Sequence, residues 1–204
     1  MTMAAASPAD LRFMDAALAQ AYGALGSTAP NPAVGCVIVK NGRVLAAAAT
    51  ARGGRPHAEP QALDQAGADA QGATAYVSLE PCAHHGRTPP CADTLIKSGV
   101  AEVVIACRDP FEAVDGRGIE TLKRAGVRVR VGLREADALK LNEGFFQRVR
   151  TGRPIAEADS RDALFESQLE IQPGETVETA LERLGAAGVN RVQLRPGQAR
   201  YTAR

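Results

Sequence analysis

"ATAYVSLEPCAHHGRTPPCADTLIKSGVAEVVIAC", residues 73–107, decides how this chain is read. "ATAYVSL" (73–79) is short, apolar and bounded by turn residues, which predicts a strand. "CADTLIKSG" (91–99) has helical spacing and ends on glycine, and "AEVVIAC" (101–107) is β-branched and apolar again. Strand, helix and strand in that order predict a parallel pair joined by a crossover. The loop between, 80–91, carries two cysteines and two of the chain's three histidines.

Outward from this unit the alternation continues. A helix over 117–126, a strand over 127–132 and one long helix over 134–150 follow. Upstream, Ser7-Pro8-Ala9-Asp10 is a helix start, and Leu11, Met14, Leu18, Tyr22 and Leu25 recur at helical spacing. "CVIVK" (36–40), Asn41-Gly42 and "RVLAAAA" (43–49) form a hairpin. A helix begins near His57 and ends near Gly67, with Pro60 in its first turn. The expected architecture is α/β: a three-layer α/β/α sandwich around a mixed sheet of about five strands. Arginines and lysines of 117–132 are read as a solvated face.

Composition narrows the function. With 45% apolar residues and 4% aromatics, the core must rest on alanine, valine and leucine. A net charge of +1 leaves no electrostatic footprint for duplex nucleic acid or an anionic membrane. No apolar run is long enough to span a bilayer, and the opening has no basic-then-apolar leader, so a cytoplasmic location is expected. Cys36, Cys82, Cys91 and Cys107 are then reduced thiols.

The histidines and cysteines converge on one chemistry. A catalytic zinc site uses three nitrogen or sulfur ligands and keeps a fourth position for water. His57, Cys82 and Cys91 supply that set. Zinc brings the pKa of its water to roughly 7, so hydroxide is present at neutral pH. Glu59, two residues from His57, is placed to move protons without binding the metal. His-x-Glu followed by Pro-Cys and a second cysteine is the zinc deaminase signature. Here eight residues, not two, separate the cysteines. Cys36 and Cys107 lie in apolar strands and are read as small core residues.

"APNPAVGCVIVKNGRVL" (29–45), "PHAE" (56–59), the 72–100 segment, "RDP" (108–110), "GRGIETLKRAGVRV" (116–129) and "LNEGFFQRVRTGRP" (141–154) together resemble the deaminase half of the bifunctional riboflavin biosynthesis deaminase–reductases. The resemblance runs from about Asp10 to Pro154. It implies a cytidine deaminase-like fold and hydrolytic removal of the 2-amino group from 2,5-diamino-6-ribosylamino-4(3H)-pyrimidinone 5′-phosphate. It implies one zinc ion on His57, Cys82 and Cys91, with Glu59 as proton shuttle. It places Asn31, His84, Arg87, Thr88 and Asp109 on the substrate side. Asn31 offers a donor and an acceptor to a ring edge, Arg87 and His84 suit a phosphate or carbonyl, and Asp109 suits ribose hydroxyls or ring N–H. A fourth protein ligand would block the water position, so His84 is not counted as one, and His85 is read as solvated.

Three departures flank the site. Thr50 stands where the family has a histidine, Phe111 where it has an asparagine, and Pro60 follows the glutamate. They leave the zinc set intact and imply an altered grip on the sugar phosphate, or retuning to another amino-pyrimidine, pterin or purine. Residues 1–152 are read as the deaminase domain. Residues 153–204 are read as a tail or degenerate reductase remnant, not an independent domain, with "VETALERLGAAGVNRVQLRPG" (177–197) as a helix and a short strand. The remnant lacks the reductase's lysine strand and glycine turn, so NADPH binding is not expected. The remaining expectations are a homodimer, a separate reductase as partner and, as a rival class, a catalytically silent zinc-stabilised binding domain.

Overall fold

The computed structural model describes residues 6–83, 89–109 and 116–195. His84, His85, Arg87, Thr88 and Phe111 lie outside the described residues. Helix α1 (Pro8–Ala24) starts on a capping box in which Ser7 and Asp10 satisfy each other's backbone amides. Strands β1 (Gly35–Lys40) and β2 (Arg43–Ala49) form the hairpin, and Asn41 and Gly42 both adopt positive φ, +53° and +74°. That is the backbone a two-residue turn between twisted strands demands.

Helix α2 (Ala58–Ala66), strand β3 (Thr74–Val77), helix α3 (Cys91–Lys97), strand β4 (Glu102–Ile105), helix α4 (Arg117–Arg124) and strand β5 (Arg128–Val131) follow. The sheet order is β2-β1-β3-β4-β5. β1 is antiparallel to both neighbours, and β3, β4 and β5 run parallel. The molecule is therefore the expected α/β/α sandwich with a mixed five-stranded sheet. Val37, Ile38, Val77, Val103, Val104 and Ile105 are fully buried in its core. Alanine supplies the close contacts: a Cβ on Gly35 of β1 would sit 1.9 Å from the Ala17 carbonyl, so α1 rests directly on the strand backbone.

Two expectations are corrected. The helix over 134–150 is broken into α5 (Glu135–Leu141) and α6 (Glu143–Thr151) at Asn142. The buried Asn142 amide accepts from Ala33 N–H and donates to Ala33 C=O, both at 3.1 Å, and holds its own backbone out of the helix to do so. The 117–132 basic positions are not uniformly solvated. Arg130 on β5 pairs with Asp10 (2.8 Å) and Glu102 (2.9 Å), and Tyr76 donates to Asp10 at 2.7 Å. This network ties α1 to β3, β4 and β5.

After Gly152 the chain forms a second, all-parallel sheet. Strands β6 (Ile155–Glu157), β7 (Ser167–Gln168) and β8 (Arg191–Gln193) lie in the order β6-β8-β7 beside helix α7 (Val177–Ala186). Leu169, Ala180, Leu181, Leu184, Val192 and Leu194 form its small core. No described helix is long and apolar enough to cross a membrane.

Candidate metal centre and active site

The site lies where β3 and β4 end and α2 and α3 begin. His57 caps α2 in an extended conformation, and its ring makes no capping bond. The imidazole turns instead to the cysteines: Nδ1 is 3.3 Å from Cys91 Sγ and 3.8 Å from Cys82 Sγ. Cys91 opens α3, and its N–H reaches Cys82 Sγ at 3.3 Å, while Ala92 N–H reaches the Cys82 carbonyl at 3.1 Å. The three donor atoms lie within 4.8 Å of one another. Zinc–sulfur and zinc–nitrogen bonds of about 2.3 and 2.0 Å in a tetrahedron place donors roughly 3.5–3.8 Å apart, so the set fits such an ion.

Electrostatics support the same fit. The Cys91 thiol, the Cys91 amide and His57 pull the Cys82 thiol down to about 4. Donation to that thiolate, with burial, pushes Cys91 up. Burial raises the Glu59 carboxyl, and the negative Cys82 adds to it. The hydrogen bond with Cys82 raises His57. Two sulfurs and a carboxylate crowded together resist full ionisation, and a divalent cation relieves that repulsion.

Glu59, in the first turn of α2, is 3% exposed. Its Oε2 has no hydrogen-bond partner among the described residues. An unsatisfied buried carboxylate oxygen is costly, and its presence beside three metal donors marks a reactive position. A cavity of about 290 Å³ opens onto it, lined by Asn31, Thr50, Arg55, Asp109, Phe145 and Arg148 among others.

The structure thus brings together His57, Glu59, Cys82, Cys91, Asn31 and Asp109 of the sequence-derived set. Asn31 is partly engaged, because its Nδ2 donates to the Gly54 carbonyl at 2.7 Å. Thr50 lines the cavity, yet its hydroxyl is 3.0 Å from Val34 N–H and accepts from it. Cys36 and Cys107 are fully buried away from the metal set.

Four further residues at the site carried no signal in the sequence. Glu80, buried beside the cavity, accepts from Gly116, Gly118 and Ile119 N–H at 3.1, 3.0 and 3.3 Å and so fixes the start of α4. Gln61 Nε2 reaches the carbonyls of Ala49, Pro56 and His57 and pins the entry to α2. Phe145 and Arg148 enter the cavity from α6 because Asn142 breaks the preceding helix.

The model of the cytidine and deoxycytidylate deaminase zinc-binding region matches residues 7–107. A diaminohydroxyphosphoribosylamino-pyrimidine deaminase from Buchnera aphidicola of Schizaphis graminum is 47% identical over 63% of this chain, and the match covers 87% of that protein. The chain belongs to the diaminohydroxyphosphoribosylamino-pyrimidine deaminase family. Within that family it is 50% identical over 76% of its length to the Escherichia coli riboflavin biosynthesis protein RibD, and spans 44% of that protein. Among solved structures it is similar to Acinetobacter baumannii RibD, form 1, with a TM-score of 0.80 and 29% identity over 92% of this chain and 80% of that one. That share is too large to end at residue 154, so the likeness continues into the β6-β8-β7 sheet.

Proposed function

We propose that the chain hydrolyses the 2-amino group of 2,5-diamino-6-ribosylamino-4(3H)-pyrimidinone 5′-phosphate in riboflavin biosynthesis. The observation that carries this reading is the unpartnered, buried Glu59 Oε2 beside the His57–Cys82–Cys91 donor set, at the floor of a cavity sized for one small ring and its substituents. His57, Cys82 and Cys91 would hold zinc, which supplies Lewis acidity and generates a nucleophile from water near neutral pH. Glu59 Oε2 accepts the proton that the attacking water gives up and returns it to the departing amine. One water is consumed, the exocyclic C–NH₂ bond at the ring carbon is replaced by C=O with a proton on the adjacent ring nitrogen, and ammonia leaves. Burial raises the Glu59 carboxyl above its ordinary range, which favours its taking up a proton. Asn31 Oδ1 and Asp109 face the ring and sugar, and His84, Arg87 and Thr88 complete the substrate side.

Residues 153–195 read as a shortened reductase module, and the continuous structural likeness to RibD supports that. One observation favours a second reading, a shift to another amino-heterocycle. The Thr50 hydroxyl is spent on Val34, so this wall of the cavity offers no proton-bearing ring where the family carries histidine.

The test is ammonia release from the ribotide by zinc-loaded protein. We expect Glu59→Gln to keep one zinc per chain and lose about 10²–10⁴ in kcat. A fully active Glu59→Gln protein overturns the mechanism. Turnover confined to other amines selects the second reading, and no turnover of any amine selects the silent binding domain.

A further inference from the structure

Asn190 lies in the turn between α7 and β8, outside the sandwich, yet its side chain is 4% exposed. Both ends of its amide cross to the deaminase cavity. Its Oδ1 accepts from Arg148 Nε at 2.7 Å, and its Nδ2 donates to the Asn31 carbonyl at 3.2 Å. Arg148 in turn donates from Nη2 to the Pro30 carbonyl at 2.6 Å. Pro30, Asn31 and Arg148 all line the cavity. The Asn31 side chain continues the chain of bonds to Gly54, next to the cavity residue Arg55 and three positions before His57.

The backbones are locked as closely. A Cβ on Gly144 of α6 would meet the Asn190 carbonyl at 2.5 Å, and one on Gly188 would meet Pro30 Cβ at 2.7 Å. The void beside Asn190 at this seam is about 10 Å³, at the lower limit for holding a water. The hydrogen bonds to Asn190 are direct and part-buried, the Arg148–Pro30 bond beyond them is exposed, and an unpaired partner beside the buried Asn190 amide is costly.

We propose that Asn190 is a positioning residue for substrate binding, so that the β6-β8-β7 module is part of the deaminase site. Its amide sets the Pro30–Asn31 wall and the Arg148 guanidinium at one separation. Without it both walls relax, the cavity widens, and the substrate is held less tightly, while His57, Glu59, Cys82 and Cys91, none of which bonds to Asn190, keep their places. The inference rests on the deaminase reading for its kinetic arm only.

The experiment compares zinc-loaded wild-type, Asn190→Ala and Asn190→Asp full-length chains. Asn190→Ala should raise KM for the ribotide about tenfold, the worth of about one hydrogen bond to a charged partner. Its kcat should stay within about twofold and its zinc content at one per chain. Asn190→Asp keeps and charges the acceptor for Arg148 but sets a carboxylate oxygen against the Asn31 carbonyl, so KM should still rise, by less than in Asn190→Ala. Hydrogen exchange supplies a readout independent of the substrate: amides of residues 28–35 should exchange faster in both variants. Unchanged KM with unchanged exchange overturns the proposal, even if melting temperature falls, since that pattern is purely structural. If the wild type does not turn over the ribotide, the functional reading fails, and unchanged exchange in both variants still overturns this inference.

Discussion

Replacing Glu80 by glutamine tests how the segment that carries Cys82 is held. Gly116, the residue before α4, has no side chain to cap the helix, so the first amides of α4 need an acceptor from elsewhere. Glu80 provides it across 36–39 positions of chain, with Oε2 on Gly116 N–H and Oε1 on Gly118 and Ile119 N–H. Glutamine keeps the shape and removes the charge. In its better orientation the carbonyl oxygen faces Gly118 and Ile119, and the NH₂ group confronts Gly116 N–H. One buried donor loses its acceptor and two bonds lose their charge assistance, a cost of about 1–3 kcal/mol. For a chain of this size that lowers Tm by roughly 2–12 °C. Glu80→Ala strips all three acceptors and should fall further. Thermal unfolding by circular dichroism on zinc-loaded protein measures this, and retention of zinc against a chelator should weaken in parallel because Cys82 is two residues on. Glu80→Gln melting within about 1 °C of wild type would refute the capping role.

Two further outcomes are expected. Asn142→Leu, similar in volume, leaves Ala33 N–H and C=O buried without partners and should cost about 2–4 kcal/mol in urea unfolding; a loss below about 0.5 kcal/mol would show that another group can replace the amide. The Arg130 guanidinium, with Tyr76 and Ser7, holds the Asp10 carboxyl well below the usual carboxylate range. A depressed folded-state value contributes stability above the unfolded value of about 3.9 and loses it as pH falls toward the folded one. The stability gap between wild type and Asp10→Asn should accordingly be full at pH 7 and narrow below about pH 4, by up to about 1.4 kcal/mol per pH unit; a gap constant from pH 7 to pH 3 would contradict the assignment.

The chain's local chemistry determined a good deal. Short apolar, β-branched runs predicted the strands of the main sheet and apolar residues at helical spacing the helices around it, because a central strand is buried on both faces and a helix on one. Asn41-Gly42 announced its turn, since few residue pairs tolerate two positive φ angles. His57, Cys82 and Cys91 stood out because histidine and cysteine are scarce in the chain and their spacing suits a metal, and Glu59 because it lies two residues from His57. Tertiary structure alone decided what depends on distant partners. Asn142 breaks a helix that its own neighbourhood favours, since Ala33, 109 positions away, offers its amide two bonds. Arg130 sits among basic neighbours yet is neutralised by Asp10, 120 positions earlier. Glu80 and Asn190 are unremarkable in sequence and become structural keys only when folding brings them to orphaned backbone groups. Periodicity records which face of an element is buried, whereas hydrogen-bond satisfaction in the interior is settled between segments, and no local pattern encodes it.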